Sequence, residues 1–256
     1  MSFNASFRGL WTRSIIAWPN GQSDVTTQVN WLQGISLFCD LRQPAGLAQR
    51  VSASTCRADL TQEDCFALAS QQGFSGHFEP NEAACEWVRC IDYQPPSAMR
   101  DIGRLSWRDD IMVEEGVEAN YVEHWHRESI VSDTDCAGLW LYDARSEVFG
   151  CLVRVSRRFG YARGRAKPLG KTSLADLVAE SQSLQQMQEL VDCEISLGEV
   201  SENGWRITRS SLPYKVGAAL KVQLGQQLQV ADIDESGDKK TRQWNILKVE
   251  GNLRLF

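Results

Sequence analysis

The densest chemistry in this chain lies in Asn120-Tyr121-Val122-Glu123-His124-Trp125-His126-Arg127-Glu128. As an extended strand, the run puts Tyr121, Glu123, Trp125 and Arg127 on one face, because side chains alternate with a period of two. His124 and His126 take the other face. A row of phenol, carboxylate, indole and guanidinium suits the inside of a barrel that holds a polar-headed, flat or apolar ligand. The competing reading is a solvated face with a cross-strand ion pair. A second row lies in Ile35–Arg42, where Ile35, Leu37, Cys39 and Leu41 share one face and Ser36, Phe38, Asp40 and Arg42 the other. If both rows enter one barrel, Asp, Glu and Arg gather among Phe38, Trp31 and Trp125. Buried charges persist only when paired, so such a cluster is either a structural network or a ligand clamp. Trp31, Phe38, Asp40, Arg42, Tyr121, Glu123, Trp125 and Arg127 are therefore the candidate ligand-binding set. Parity alone leaves the faces interchangeable, since a one-residue slip inverts them.

Other chemistry is sparser. His124-x-His126 can chelate a metal if a third ligand arrives, and His77 is the only other histidine. Two histidines on a polar strand face are ordinarily just exposed, so no metal is expected. A Gly-x-Ser-x-Gly elbow, a glycine-rich phosphate loop and an HExxH helix are all missing from the sequence. No catalytic residue and no cofactor are assigned. Arg154, Arg157, Arg158, Arg163, Arg165 and Lys167, with Phe159 and Tyr161 interleaved, form a basic stretch. It could touch an anionic ligand or RNA, but alternation along strands makes it a solvated outer face. Glu114 and Glu115 are adjacent and face apart on a strand, a poor acid–base pair.

The elements that must position these residues are mainly strands. Period-2 runs occur near 10–18, 25–31, 84–93, 102–107, 119–130, 148–163, 193–198, 204–209, 227–233 and 242–249. Turn signals separate them: Pro19-Asn20-Gly21, Gln94-Pro95-Pro96-Ser97, Asp109-Asp110, Glu202-Asn203-Gly204 and Asp234–Asp238. Two helices interrupt the pattern. The first is expected over 61–72, capped by Thr61 and stopped by Gly73; the second over 173–191, with Leu174, Leu177, Val178, Leu184, Met187 and Val191 as its stripe. Gly9-Leu10-Trp11 and Gly138-Leu139-Trp140 recur half a chain apart. The expectation is an all-β, mainly antiparallel fold: two barrels side by side, over 1–130 and 131–256, with two short helices.

Composition narrows the partners. Lys plus Arg number 27 against 33 Asp plus Glu, a net charge of −6 with a pI near 5.2. Neither nucleic acid nor an anionic membrane surface is expected to bind such a chain. No run approaches the 18 or so apolar residues of a membrane span. The start, Met1–Arg8, lacks the charged region and apolar run of an export signal. Eight scattered cysteines then read as free thiols in a reducing, cytoplasmic setting.

Trp31–Arg42, Asp101-Ile102-Gly103-Arg104, Glu114-Glu115-Gly116-Val117 and Tyr121–Trp125 resemble an uncharacterised lipocalin-like family of fungi and bacteria. The two Gly-Leu-Trp tripeptides are similar to the Gly-x-Trp near the first strand of a lipocalin barrel. The resemblance implies two calycin-type barrels over nearly the whole chain, and it carries no catalytic motif to transfer. A non-catalytic protein that binds a hydrophobic or aromatic small molecule, or a protein partner, is the first reading. The second is an isomerase- or cyclase-like enzyme acting on a flexible hydrophobic molecule in a barrel lumen. A third, a scaffold whose barrels are filled by their own side chains, predicts no cavity. A carboxylate or histidine with a perturbed pKa facing an open apolar pocket would mark the enzyme.

Overall fold

The computed structural model describes residues 7–81 and 83–256. The first six residues, on which the export-signal reading turns, lie outside them. Strand accounts for 48% of the described residues. The first sheet uses β1 (Gly9–Ala17), β2 (Ser23–Asp24), β3 (Gln28–Gln33), β4 (Leu37–Gln43), β5 (Gln72–Pro80), β6 (Cys85–Asp92), β7 (Ile102–Arg108), β8 (Ile111–Gly116) and β9 (Val122–Arg127). From β3 to β9 each strand pairs antiparallel with the next, β3 pairs with β1, and β9 returns to β1 through Trp11↔Arg127 and Arg13↔Trp125. The sheet closes into an eight-stranded barrel, with two-residue β2 appended to β1. Closure removes the open edges a flat sheet would expose.

The second sheet holds β10 (Cys136–Asp143), β11 (Val148–Val155), β12 (Arg158–Arg163), β13 (Glu194–Ser201), β14 (Gly204–Ser210), β15 (Val222–Leu224), β16 (Leu228–Ile233) and β17 (Lys239–Gly251). Its order is β14-β13-β12-β11-β10-β17-β16-β15, a curled half-barrel rather than a fully laddered ring. The segment leading into β15 meets β14 through the Arg206↔Ala219 bridge and a Leu220 N–H to Trp205 carbonyl bond of 3.0 Å. Hairpin turns form at several of the expected places, with Asp109 (φ 57°), Gly204 (φ 99°) and Gly237 (φ 91°) in left-handed conformations, while the run expected over 148–163 is broken into β11 and β12 by a turn at Ser156 (φ 53°).

Four short helices replace the two expected: α1 (Leu47–Arg50), α2 (Gln62–Leu68), α3 (Leu174–Ala179) and α4 (Leu184–Leu190). The capping box of α2 forms, Thr61 accepting from the Asp64 N–H at 3.2 Å. Gly73 does not stop α2; it lies in β5, where an added Cβ would sit 3.1 Å from both the Asp40 carbonyl and Ile195. The helix expected over 173–191 is split, because Ser181 bonds back to the Leu177 carbonyl (2.8 Å) and Ser183 starts a new helix by accepting from Gln186 N–H. Strands β2, β5, β8, β10 and β15 lie outside the expected runs: glycines dilute the alternation of Phe74 and Phe78 in β5, and Glu114 interrupts that of Met112 in β8. Among the described residues no helix is long and apolar enough to cross a membrane.

The parity of β4 is decided by the seam between the sheets. Leu37, Cys39 and Leu41 turn outward into a shared core with Val153, Ala162, Ile195 and Leu197 of the second sheet and with Cys65 and Leu68 of α2. Phe38 turns inward with Trp11, Trp31, Phe74, Phe78, Trp87 and Trp125. A third cluster, including Leu139, Phe159, Tyr161, Leu228 and Trp244, fills the concave side of the second sheet. The barrels are thus packed by their own side chains, with the joint as a core in its own right.

Candidate functional site

Trp31 stands at the centre of the first lumen. It stacks on Trp11 (5.7 Å between centroids, 20° between planes) and meets Trp87 (5.4 Å) and Trp125 (5.8 Å) edge to face. Phe38 packs on Phe74 at 5.9 Å. Three of the four indole N–H groups of this stack have an acceptor: Trp31 donates to Gln33 Oε1 (3.0 Å), Trp125 to Glu114 Oε2 (3.0 Å) and Trp11 to the Phe7 carbonyl (2.7 Å). Such rings bury a large apolar area and prefer these tilted geometries.

Charged residues lie beyond the stack. Asp40 and Glu123 are only 2% and 1% exposed. Arg42 donates to Asp40 at 2.8 Å and reaches Glu123 at 3.6 Å, while Arg13 holds Glu123 at 2.6 Å and Asp24 at 3.5 Å. Burial opposes the charge on Arg42, but Asp40 and Glu123 outweigh it and hold the guanidinium protonated well above its ordinary range. The Phe74 ring lies beneath Arg42 (5.0 Å) and Arg89 (3.5 Å). Tyr121 donates to Glu114 Oε1 at 2.6 Å. Burial, with the charges of Glu123 and Asp101, pushes the Glu114 carboxyl well above its usual range.

Of the eight candidates, Trp31, Phe38 and Trp125 join the aromatic stack, and Asp40, Arg42 and Glu123 join the ion-pair cluster. Tyr121 reaches that cluster only through Glu114. Arg127 stands apart, over Trp11 (5.1 Å) and Trp107 (5.9 Å). Three members lie outside the candidate set: Arg13, Arg89 and Glu114, the last weighed in the sequence only as half of a poor acid–base pair. Extending the parity of Trp11 to Arg13, of Trp87 to Arg89 and of Met112 to Glu114 would have found them. Glu114 and Glu115 do face apart, the first buried and the second exposed.

The remaining motifs have other partners. His126 bonds Ser14 Oγ (2.9 Å) on the outer wall, while His77 packs on Trp140 at 5.2 Å in the seam. Among the described residues no group of three or more His, Cys, Asp or Glu is arranged to hold a metal. The basic stretch is no continuous solvated face: Arg163 is buried and holds Asp192 (2.6 Å), and Arg165 donates to the carbonyls of Leu190 (2.7 Å) and Asp92 (2.9 Å). Arg163 borders a polar cleft of about 270 Å³ at the mouth of the second sheet. There Arg242 holds Asp143 (2.5 Å) and Arg57 holds Asp192 (3.0 Å), with Lys215 paired to Asp232.

A larger opening lies at the seam. A groove of about 490 Å³ runs between β6 with the loop after it and the starts and ends of β11 and β12. That volume is in the range of small-molecule sites. Apolar groups reach its surface: Phe149 is 44% and Met99 54% exposed. Two ion pairs line it, Arg89 on Asp101 (2.7 Å) and Arg100 on Glu86 (2.9 Å). Asp92 also lines it, with a carboxyl raised by burial against the pull of Arg89.

No protein-family model and no curated protein matches the chain. The fold is similar to the crystal structure of an uncharacterized protein of Saccharomyces cerevisiae, with a TM-score of 0.54 and 9% identity over 94% of this chain and 98% of that one. At that identity the likeness speaks for the fold alone.

Proposed function

We propose that this chain is a non-catalytic binding protein of lipocalin-like type whose site is the seam groove rather than a barrel lumen. The observation that carries the reading is a contrast in packing. The first lumen is filled by stacked rings and internally paired charges, whereas the groove offers about 490 Å³ with Phe149 and Met99 turned to solvent. A ligand in the lumen would have to displace buried ion pairs, which costs several kcal/mol; one in the groove covers apolar surface instead. The partners this favours are a hydrophobic or aromatic small molecule, or a protein segment. All eight cysteines are unpaired, which supports a reducing, cytoplasmic setting.

Titration with the apolar fluorophore 1-anilinonaphthalene-8-sulfonate tests the reading. One site per chain is expected, weakened at least about tenfold by Phe149→Glu, since a charge there removes apolar contact. Binding indifferent to that substitution overturns it. The enzyme reading draws on one feature, the raised Asp92 carboxyl at the groove. It predicts that Asp92→Asn abolishes turnover of a flexible hydrophobic substrate while leaving fluorophore binding intact.

A further inference from the structure

We propose that the groove takes an extended polypeptide segment of a partner protein, which adds as a strand along the open edge of β6. This rests on the groove being the binding site. β6 pairs with β5 along its length, from Pro80↔Cys85 to Phe74↔Asp92. Toward β7 it pairs only at Cys85↔Gly103 and Glu86↔Ile102, followed by a single Trp87 N–H to Asp101 carbonyl bond of 2.9 Å. The chain then diverges beside residues 88–92; β6 bulges after Arg89, and Arg165 already caps the Asp92 carbonyl (2.9 Å), so Arg89 is the residue whose backbone faces the split.

The groove follows that split. Backbone groups on one side of an antiparallel strand recur every second residue. Because the Trp87 N–H points toward β7, the Arg89 N–H and carbonyl point the same way, and no strand of the described chain meets them. An unpaired strand edge is a ready template for another chain. The far wall supplies Phe149 of β11 with Pro168 and Leu169 of the segment after β12, and Met99 comes from the loop after β6. The opposite side presents the Arg89–Asp101 ion pair. A strand laid here alternates between an apolar wall and a polar one, so the fitting segment alternates apolar and polar residues. A small apolar molecule would satisfy the wall but leave the Arg89 backbone groups unpaired; a strand satisfies both.

A random decapeptide display library selected on the full chain, followed by hydrogen exchange on the synthesised binders, tests this. Enriched peptides should alternate apolar and polar residues. Binding should slow exchange of the Arg89 amide at least about tenfold while leaving the Val88 amide, already directed at β5, unchanged. Arg89→Pro, which removes the N–H, should weaken binding at least about tenfold, whereas Arg89→Ala, which removes the ion pair of the polar wall but keeps the N–H, should weaken it by clearly less than the proline does. Circular dichroism checks that the proline variant folds; if it does not, exchange on the unmodified chain still decides. No enriched peptide, or binders that leave Arg89 exchange untouched, overturns strand addition. If the fluorophore site nonetheless responds to Phe149→Glu, the groove reading survives that failure; if it does not respond, both fall.

Discussion

At the scale of single residues, the interior of the first barrel is decided by charge pairing. Arg42 holds Asp40 and approaches Glu123, both acids almost without solvent. Arg42→Ala therefore strands the buried Asp40 carboxylate, while Glu123 keeps Arg13, and should cost about 3–5 kcal/mol in urea melts. Arg127→Ala removes cation–π contacts with Trp11 and Trp107 from a half-buried site and should cost about 1 kcal/mol. Equal losses would contradict the separate placement of the two guanidinia. Glu114 makes a pH prediction. It accepts from Tyr121 and Trp125 beside Glu123, and the folded chain raises its carboxyl pKa. The folded state thus binds this proton more tightly than the unfolded chain, whose value is about 4.3. The group's contribution is complete below that value and is lost as pH rises through the raised folded value, at up to about 1.4 kcal/mol per pH unit. Glu114→Gln keeps an acceptor for Trp125 and a donor for Tyr121 without the titration. Melts between pH 5 and 9 should show the variant gaining on the parent as pH rises; parallel curves would refute the buried, proton-holding Glu114.

At the scale of elements, close approach explains what propensity could not. Gly160 of β12 lies against β4, and an added Cβ would stand 2.8 Å from Cys39 Cβ and 2.9 Å from its Sγ. Both partners are strand residues in a buried joint, so neither can yield by swinging into solvent. Gly160→Ala should destabilise by about 1–3 kcal/mol, the usual cost of overpacking. A neutral thermal melt would mean that the seam is looser than its burial implies. The same joint explains β5. Gly73 looks like a helix stop in sequence, yet it lies in β5 against Ile195 of the second sheet, and within the first sheet Gly76 faces the Val88 carbonyl of β6 at 1.9 Å from an ideal Cβ. Only a residue without Cβ fits that bulged ladder.

At the scale of the whole molecule, the shared core ties the halves together. Leu32, Leu37, Cys39 and Leu41 on one side, and Val153, Ala162, Ile195 and Leu197 on the other, are buried only against each other and the helices. Residues 1–130 or 131–256 alone would expose that apolar face, and the full chain should lose both sheets together. Urea unfolding followed by tryptophan fluorescence and by circular dichroism should give one coincident transition. Two separated transitions, or a half that folds cooperatively alone, would show that the seam couples them weakly.

Period-2 alternation and turn chemistry by themselves determined the all-β class, most strands and several of the hairpin turns, because both are local properties of the backbone. They also put Asp40 and Arg42 on one face, and Tyr121, Glu123, Trp125 and Arg127 on one face. Which face turned inward was a tertiary decision: the apolar residues of β4 found a second sheet and α2 to cover them outside the barrel, which left Phe38 and Asp40 for the lumen. The groove was likewise beyond the reach of sequence. It exists because β6 and β7 part after two residue pairs while another sheet stands alongside, and neither the missing ladder nor the distant wall leaves a mark on local pattern.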